Sequence, residues 1–186
     1  MAIKIFIDQG HNYGNPNAGA EGNGYTEQNL VYEIGIMLRD MLNGNPEFEA
    51  RTSRNSKEEI LGTTNAESLK IRVDNANSWG ADYFISLHAN ASVIESATGC
   101  EGYVYSLNSV AEAFSSSLLT GLSESTGIPS RGVFARPTLY VLRKTKMPAT
   151  LIELGFITNK NEAELMYTRP DLFAQGLYNG IITYFE

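Results

Sequence analysis

Ile3-Lys4-Ile5-Phe6-Ile7-Asp8 runs directly into Gln9-Gly10-His11, and the reading of this stretch decides the fold. Its β-branched and aromatic side chains predict a buried strand, and the Gly- and Asn-rich segment from Gln9 to Gly24 supplies the loop that follows. Leu30, Val31, Ile34, Met37, Leu38 and Met41 then recur at helical spacing until Asn43-Gly44-Asn45-Pro46 stops them. The rest of the chain repeats this strand, loop and helix. A strand at Phe48 to Thr52 leads through a polar loop to a helix carrying Leu69, Val73 and Ala76 and ended by Gly80. Tyr83-Phe84-Ile85-Ser86-Leu87 and Glu101 to Ser106 predict strands, and Val110, Phe114, Leu118 and Leu122 mark a helix closed near Gly127. Strands are expected at Tyr140-Val141-Leu142 and Thr150-Leu151-Ile152, then a short helix from Asn161 and a terminal one opened by Pro170. The expected fold class is α/β, with a single domain over 1–186 built on a mixed, mostly parallel sheet with helices on both faces.

Composition narrows the function. With 42% hydrophobic and 19% charged residues in 186, collagen, coiled coil and wholesale disorder are excluded. The 14 basic and 21 acidic residues leave a net charge of −7, which argues against a nucleic-acid backbone or an anionic membrane surface as partner. Cys100 is the only cysteine and cannot form an internal disulfide. No apolar run approaches the ~18 residues of a membrane helix, so no membrane insertion is expected. The apolar run before Asp8 is too short for a signal-peptide core, so the chain as written carries no secretion signal.

The two histidines, His11 and His88, each lie just beyond a predicted strand. In open α/β sheets those strand ends line the ligand crevice, so the two imidazoles either converge there or stand as isolated loop residues. Glu27 opens the first helix, where a carboxylate complements the helix dipole. Taken with the histidines, it is also the third ligand of a His₂Glu zinc site with a fourth position open, as catalytic zinc requires. Glu153 closes the run Thr150-Leu151-Ile152, either as a solvated strand end or as an acid/base group whose pKa burial raises. Competing chemistries find no support. There is no Gly-x-Ser-x-Gly elbow, no P-loop and no Gly-x-Gly-x-x-Gly turn, and Cys100 reads as a core residue. Tyr103, Tyr105 and Trp79 read as packing residues.

In order along the chain, Ile7-Asp8-Gln9-Gly10-His11, Gly19-Ala20, Glu27, Ser86-Leu87-His88-Ala89-Asn90 and Leu151-Ile152-Glu153-Leu154-Gly155-Phe156 resemble the motifs of the zinc-dependent N-acetylmuramoyl-L-alanine amidases. Arg51-Thr52-Ser53-Arg54, the segment Arg72 to Asp82 and Tyr140 to Ala149 extend the likeness over nearly the whole chain. The resemblance implies the phosphorylase/hydrolase-like form of the α/β architecture. It also implies Zn²⁺ on His11, Glu27 and His88, with Glu153 as general base and then acid. The reaction it implies is hydrolysis of the amide between N-acetylmuramic acid and L-alanine of the peptidoglycan stem peptide by zinc-activated water. The bacterial cell wall would be the site of action, in an autolysin- or endolysin-type setting. Asp8 is expected to fix the loop rather than bind metal. A zinc peptidase, or a wall-binding module that keeps the fold without the chemistry, would be the alternatives. Two departures stand out: Asn12-Tyr13 replaces glycines after the first family histidine, and Gln9 replaces a proline. The stretch between His88 and Cys100 is also too short for the inhibitory helix of regulated family members, so no self-inhibition of that kind is expected.

Overall fold

The computed structural model, which describes residues 2–186, begins with the expected strand, β1 (Ile3–Gln9). The segment after it holds a small antiparallel hairpin, β2 (Glu21–Gly22) and β3 (Tyr25–Thr26), and runs into α1 (Glu27–Asn43). There follow β4 (Phe48–Thr52), α2 (Asn65–Trp79), β5 (Tyr83–Asn90), β6 (Cys100–Val104), α3 (Val110–Thr126) and β7 (Ser130–Ala135). The chain closes with α4 (Tyr140–Lys144), β8 (Ala149–Phe156), α5 (Lys160–Thr168) and α6 (Pro170–Phe185). Local chemistry sets several of these boundaries. The Thr64 hydroxyl accepts from the Glu67 N–H at the start of α2, and Gly80 ends that helix at φ 68°. Ser109 and Glu112 open α3 in the same way, and Gly127 closes it at φ 75°.

Six strands form one sheet in the order β4-β1-β5-β8-β6-β7. All neighbours are parallel except β6 and β8, so the sheet is mixed and mostly parallel. Alternate side chains take opposite faces. Ile5, Ile7, Ile85, Leu87 and Ile152 face the larger core, under α1, α3 and α6. Phe6, Phe84, Ala149 and Leu151 face a smaller one, closed by Val73 and Ala76 of α2 and by Val141 and Leu142 of α4. No helix among the described residues is long and apolar enough to cross a membrane.

One expectation needs correction. Tyr140-Val141-Leu142 is not a strand but the start of α4. Adjacent Val141 and Leu142 are both buried while Arg143 and Lys144 are exposed, a split that one helical turn makes and a strand cannot. The Thr145 hydroxyl closes this turn on the Val141 carbonyl at 2.8 Å. β7 went unassigned because, as an edge strand with little burial, it carries no apolar alternation.

Candidate metal centre

The site lies at the edge where the parallel strands β1, β5 and β8 end. Gly10 leaves β1 and donates its N–H to the Leu87 carbonyl at 3.0 Å. A Cβ there would lie 2.5 Å from His88 Cε1 and 2.6 Å from the Leu87 oxygen, so only glycine lets the loop pass the histidine. His11 then adopts φ 65°, a left-handed conformation that a non-glycine residue keeps only when held. Arg72 of α2, fully buried, provides the hold. It donates to the Asp8 carboxylate and the Gln9 carbonyl at 2.6 Å each, and to the His11 carbonyl. Asp8 also accepts from the Ser86 hydroxyl at 2.7 Å, which ties β1 to β5 directly below the site. Burial would raise the Asp8 carboxyl, but the charge and hydrogen bonds of Arg72 hold it below the ordinary range.

Glu27 is the first residue of α1, and its carboxylate meets both histidines. Oε1 lies 3.0 Å from His88 Nδ1 and 3.2 Å from His11 Nε2, and accepts the Ala89 N–H at 3.0 Å. Oε2 accepts the Ala20 N–H at 2.9 Å, and Gly19 passes so close that a Cβ would sit 2.9 Å from that oxygen. The imidazoles stand edge to face with centroids 4.8 Å apart. One ligand atom from each of the three residues falls within 4.8 Å of the others. Burial would raise the Glu27 carboxyl, but the two histidines' hydrogen bonds and charge hold it well below the ordinary range. Two imidazole nitrogens and an ionised carboxylate converging from three elements fit a zinc-type cation.

Glu153 is next in the sheet. On β8 it pairs with His88 of β5 on one side and with Glu101 of β6 on the other. Its Oε2 is buried without a hydrogen-bond partner. Burial, helped by the charges of Glu27 and Glu101, pushes its pKa up to about 8. All four residues singled out in the sequence, His11, Glu27, His88 and Glu153, thus lie at one edge.

Residues beyond those four also shape the site. Glu101 is buried, ion-paired with Arg131 at 2.5 Å and hydrogen-bonded by the Tyr103 hydroxyl. Asn12 is fully buried. It accepts from Leu61 N–H at 3.1 Å and donates to the Leu61 carbonyl at 3.1 Å, clamping the first loop onto the segment before α2. Gln9 accepts from the Arg54 N–H at 3.1 Å and donates to the Tyr32 carbonyl at 3.3 Å. The two departures from the family motif are therefore structural ties. Arg72 could have been found in the sequence as a cation on the apolar side of a helix, at the spacing of Ser68, Val73 and Ala76. Cys100 is buried, and burial pushes its thiol up to about 12, so it is no nucleophile. The segment between Asn90 and Cys100 contains no helix.

Known proteins resemble this chain over nearly its whole length. Residues 5–183 match the family model described as N-acetylmuramoyl-L-alanine amidase. The N-acetylmuramoyl-L-alanine amidase CwlM of Bacillus licheniformis is 35% identical over 99% of this chain and 69% of its own length. The sporulation-specific N-acetylmuramoyl-L-alanine amidase of Bacillus subtilis strain 168 is 34% identical over 96% of this chain and 67% of its own. Among solved structures, the catalytic domain of the amidase CwlV from Bacillus (Paenibacillus) polymyxa var. colistinus superposes with a TM-score of 0.86. It is 29% identical, and the match covers 98% of each chain.

Proposed function

This chain belongs to the N-acetylmuramoyl-L-alanine amidase family, and from that premise we propose that its reaction runs on a zinc ion held by His11, Glu27 and His88, with Glu153 moving the proton. It is a peptidoglycan amidase, hydrolysing the amide between N-acetylmuramic acid and the L-alanine of the stem peptide. The observation that carries the metal assignment is the meeting of His11 Nε2, His88 Nδ1 and the Glu27 carboxylate. A bound zinc ion would supply a Lewis acid for the scissile carbonyl and bring the pKa of water into the neutral range.

The chain's own residues do the rest. Glu27 stays ionised and is fixed by two backbone N–H groups, so it presents its charge without reorganising. Glu153, the register partner of His88 on the neighbouring strand, takes the proton of the attacking water and returns it to the departing L-alanine nitrogen. An environment that raises its pKa suits a group that must hold a proton between the two transfers, and a nearby dication would draw that value back towards neutrality. Residues 1–186 act as a single catalytic domain on the bacterial wall. The test is release of new L-alanine amino termini from peptidoglycan. The wild type should release them, and the chelated protein and Glu153→Ala should not. Release that survives both treatments would refute the assignment.

A further inference from the structure

The face of the sheet that bears His88, Glu153 and Glu101 continues into an aromatic ledge on β6 and β7. Tyr103 donates its hydroxyl to Glu101, the cross-strand neighbour of Glu153. Phe134, 40% exposed, lies beside it with ring centroids 6.4 Å apart. Over the Tyr103 ring, 5.0 Å from its centroid, sits the guanidinium of Arg136. Arg131, its neighbour on this edge, is committed to Glu101. Arg136 is not committed in this way: it is exposed, and its side chain donates only to the adjoining Ala135 carbonyl at 3.2 Å. Stacking orients the planar fork while leaving its N–H groups free. In a chain of net charge −7, a pre-oriented guanidinium without a carboxylate, linked through Tyr103 and Glu101 to the strand that bears Glu153, is a feature that the chemistry of Glu153 does not use.

We propose that Arg136 determines substrate specificity by binding a carboxylate of the stem peptide, the α-carboxylate of the residue that follows L-alanine. The inference rests on the amidase reading of Glu153. Its chemistry is the bidentate pairing of guanidinium with carboxylate. An extended peptide places that carboxylate roughly 7 Å beyond the scissile carbonyl. The Arg136 backbone lies two strand spacings from β8, about 10 Å, and beyond the Val104–Thr150 register, so it is the side chain folded back over Tyr103, whose hydroxyl rests on Glu101, that carries the guanidinium towards the Glu153 side.

The test is calorimetric titration of two probes, N-acetylmuramoyl-L-alanyl-D-glutamine with its free α-carboxylate and the same compound as its α-amide. The proteins are zinc-loaded Glu153→Gln, and the same protein carrying Arg136→Ala or Arg136→Lys. With Arg136 present, the carboxylate form should bind about tenfold more tightly than the amide. Arg136→Ala should bring that ratio near one, and Arg136→Lys should keep part of it, having the charge without the fork. A ratio unchanged by Arg136→Ala overturns the proposal. So does equal weakening of both probes, which would mark Arg136 as a packing residue on Tyr103. Tight binding of both probes with no preference removes this inference alone, whereas no binding of either probe by the zinc-loaded protein removes the amidase reading with it.

Discussion

Glu27 and Glu153 both flank His88, yet their surroundings are opposed. Around Glu27 the chain gathers donors: two imidazoles and the N–H groups of Ala20 and Ala89. Around Glu153 it gathers none for the buried Oε2, and places the carboxylates of Glu27 and Glu101 nearby. The first environment holds a carboxylate ionised, as a metal ligand must be. The second favours a proton, as an acid/base group needs. Position along the chain teaches nothing about this division of labour, since Glu27 opens a helix and Glu153 lies within a strand, and neither place dictates a protonation state. The local count of donors and charges does.

If the comparison is sound, breaking either side abolishes activity by a different route. Glu27→Ala should lose the metal and all measurable hydrolysis, whereas Glu153→Ala should keep the metal and lose about 10²- to 10⁴-fold in rate. Metal content measured beside amino-terminus release separates the two. Next in size is the support below Glu27 and His11. Arg72→Ala leaves Asp8 as an uncompensated buried charge and should cost about 3–5 kcal/mol of stability, read from denaturant unfolding. An unfolding midpoint that does not move would mean that Arg72 is not what holds the first loop. Gly10→Ala sharpens the comparison further, because the new methyl would press on the His88 ring and not on Glu153. Zinc affinity should fall about 10- to 100-fold in competition with a chelator, and Tm should fall too, because the methyl also meets the Leu87 backbone oxygen.

A further contrast is in pH dependence, in the metal-free protein. The Glu153 carboxyl binds its proton up to about 8 when folded, against an ordinary value of 4.5. The folded chain therefore holds more protons than the unfolded one between those values, and the Glu153 contribution to stability falls as pH rises through that window. Wild type should lose stability relative to Glu153→Gln between pH 4.5 and 8. Parallel stability curves would show that Glu153 is better solvated than its surroundings indicate.

Much of this architecture was legible in the sequence because burial leaves a periodic trace. Ile5 and Ile7 alternate with Phe6 across two cores, and Leu30, Ile34 and Leu38 keep helical spacing. The four chemical residues could be read because each sits where a predicted element starts or ends. What stayed hidden lacks periodicity. β7 is exposed on an edge, and α4 is a single turn whose Tyr140-Val141-Leu142 imitates a strand. The roles of Asn12 and Gln9 were also out of reach, because a buried amide announces itself only through its partners, here 23 to 49 residues away. Arg72 is the instructive case. Charged residues on helices are mostly solvated, so although Arg72 shares the apolar side of α2, its place there is only a hint, and its contacts with Asp8, Gln9 and His11 are what show a guanidinium fully inside.

The division between the two glutamates is tested most directly by the zinc content of purified wild type, Glu27→Gln and Glu153→Gln. The expected result is about one zinc per chain in the wild type and in Glu153→Gln, and essentially none in Glu27→Gln. Zinc retained by Glu27→Gln but lost from Glu153→Gln would reverse the two roles and contradict the account.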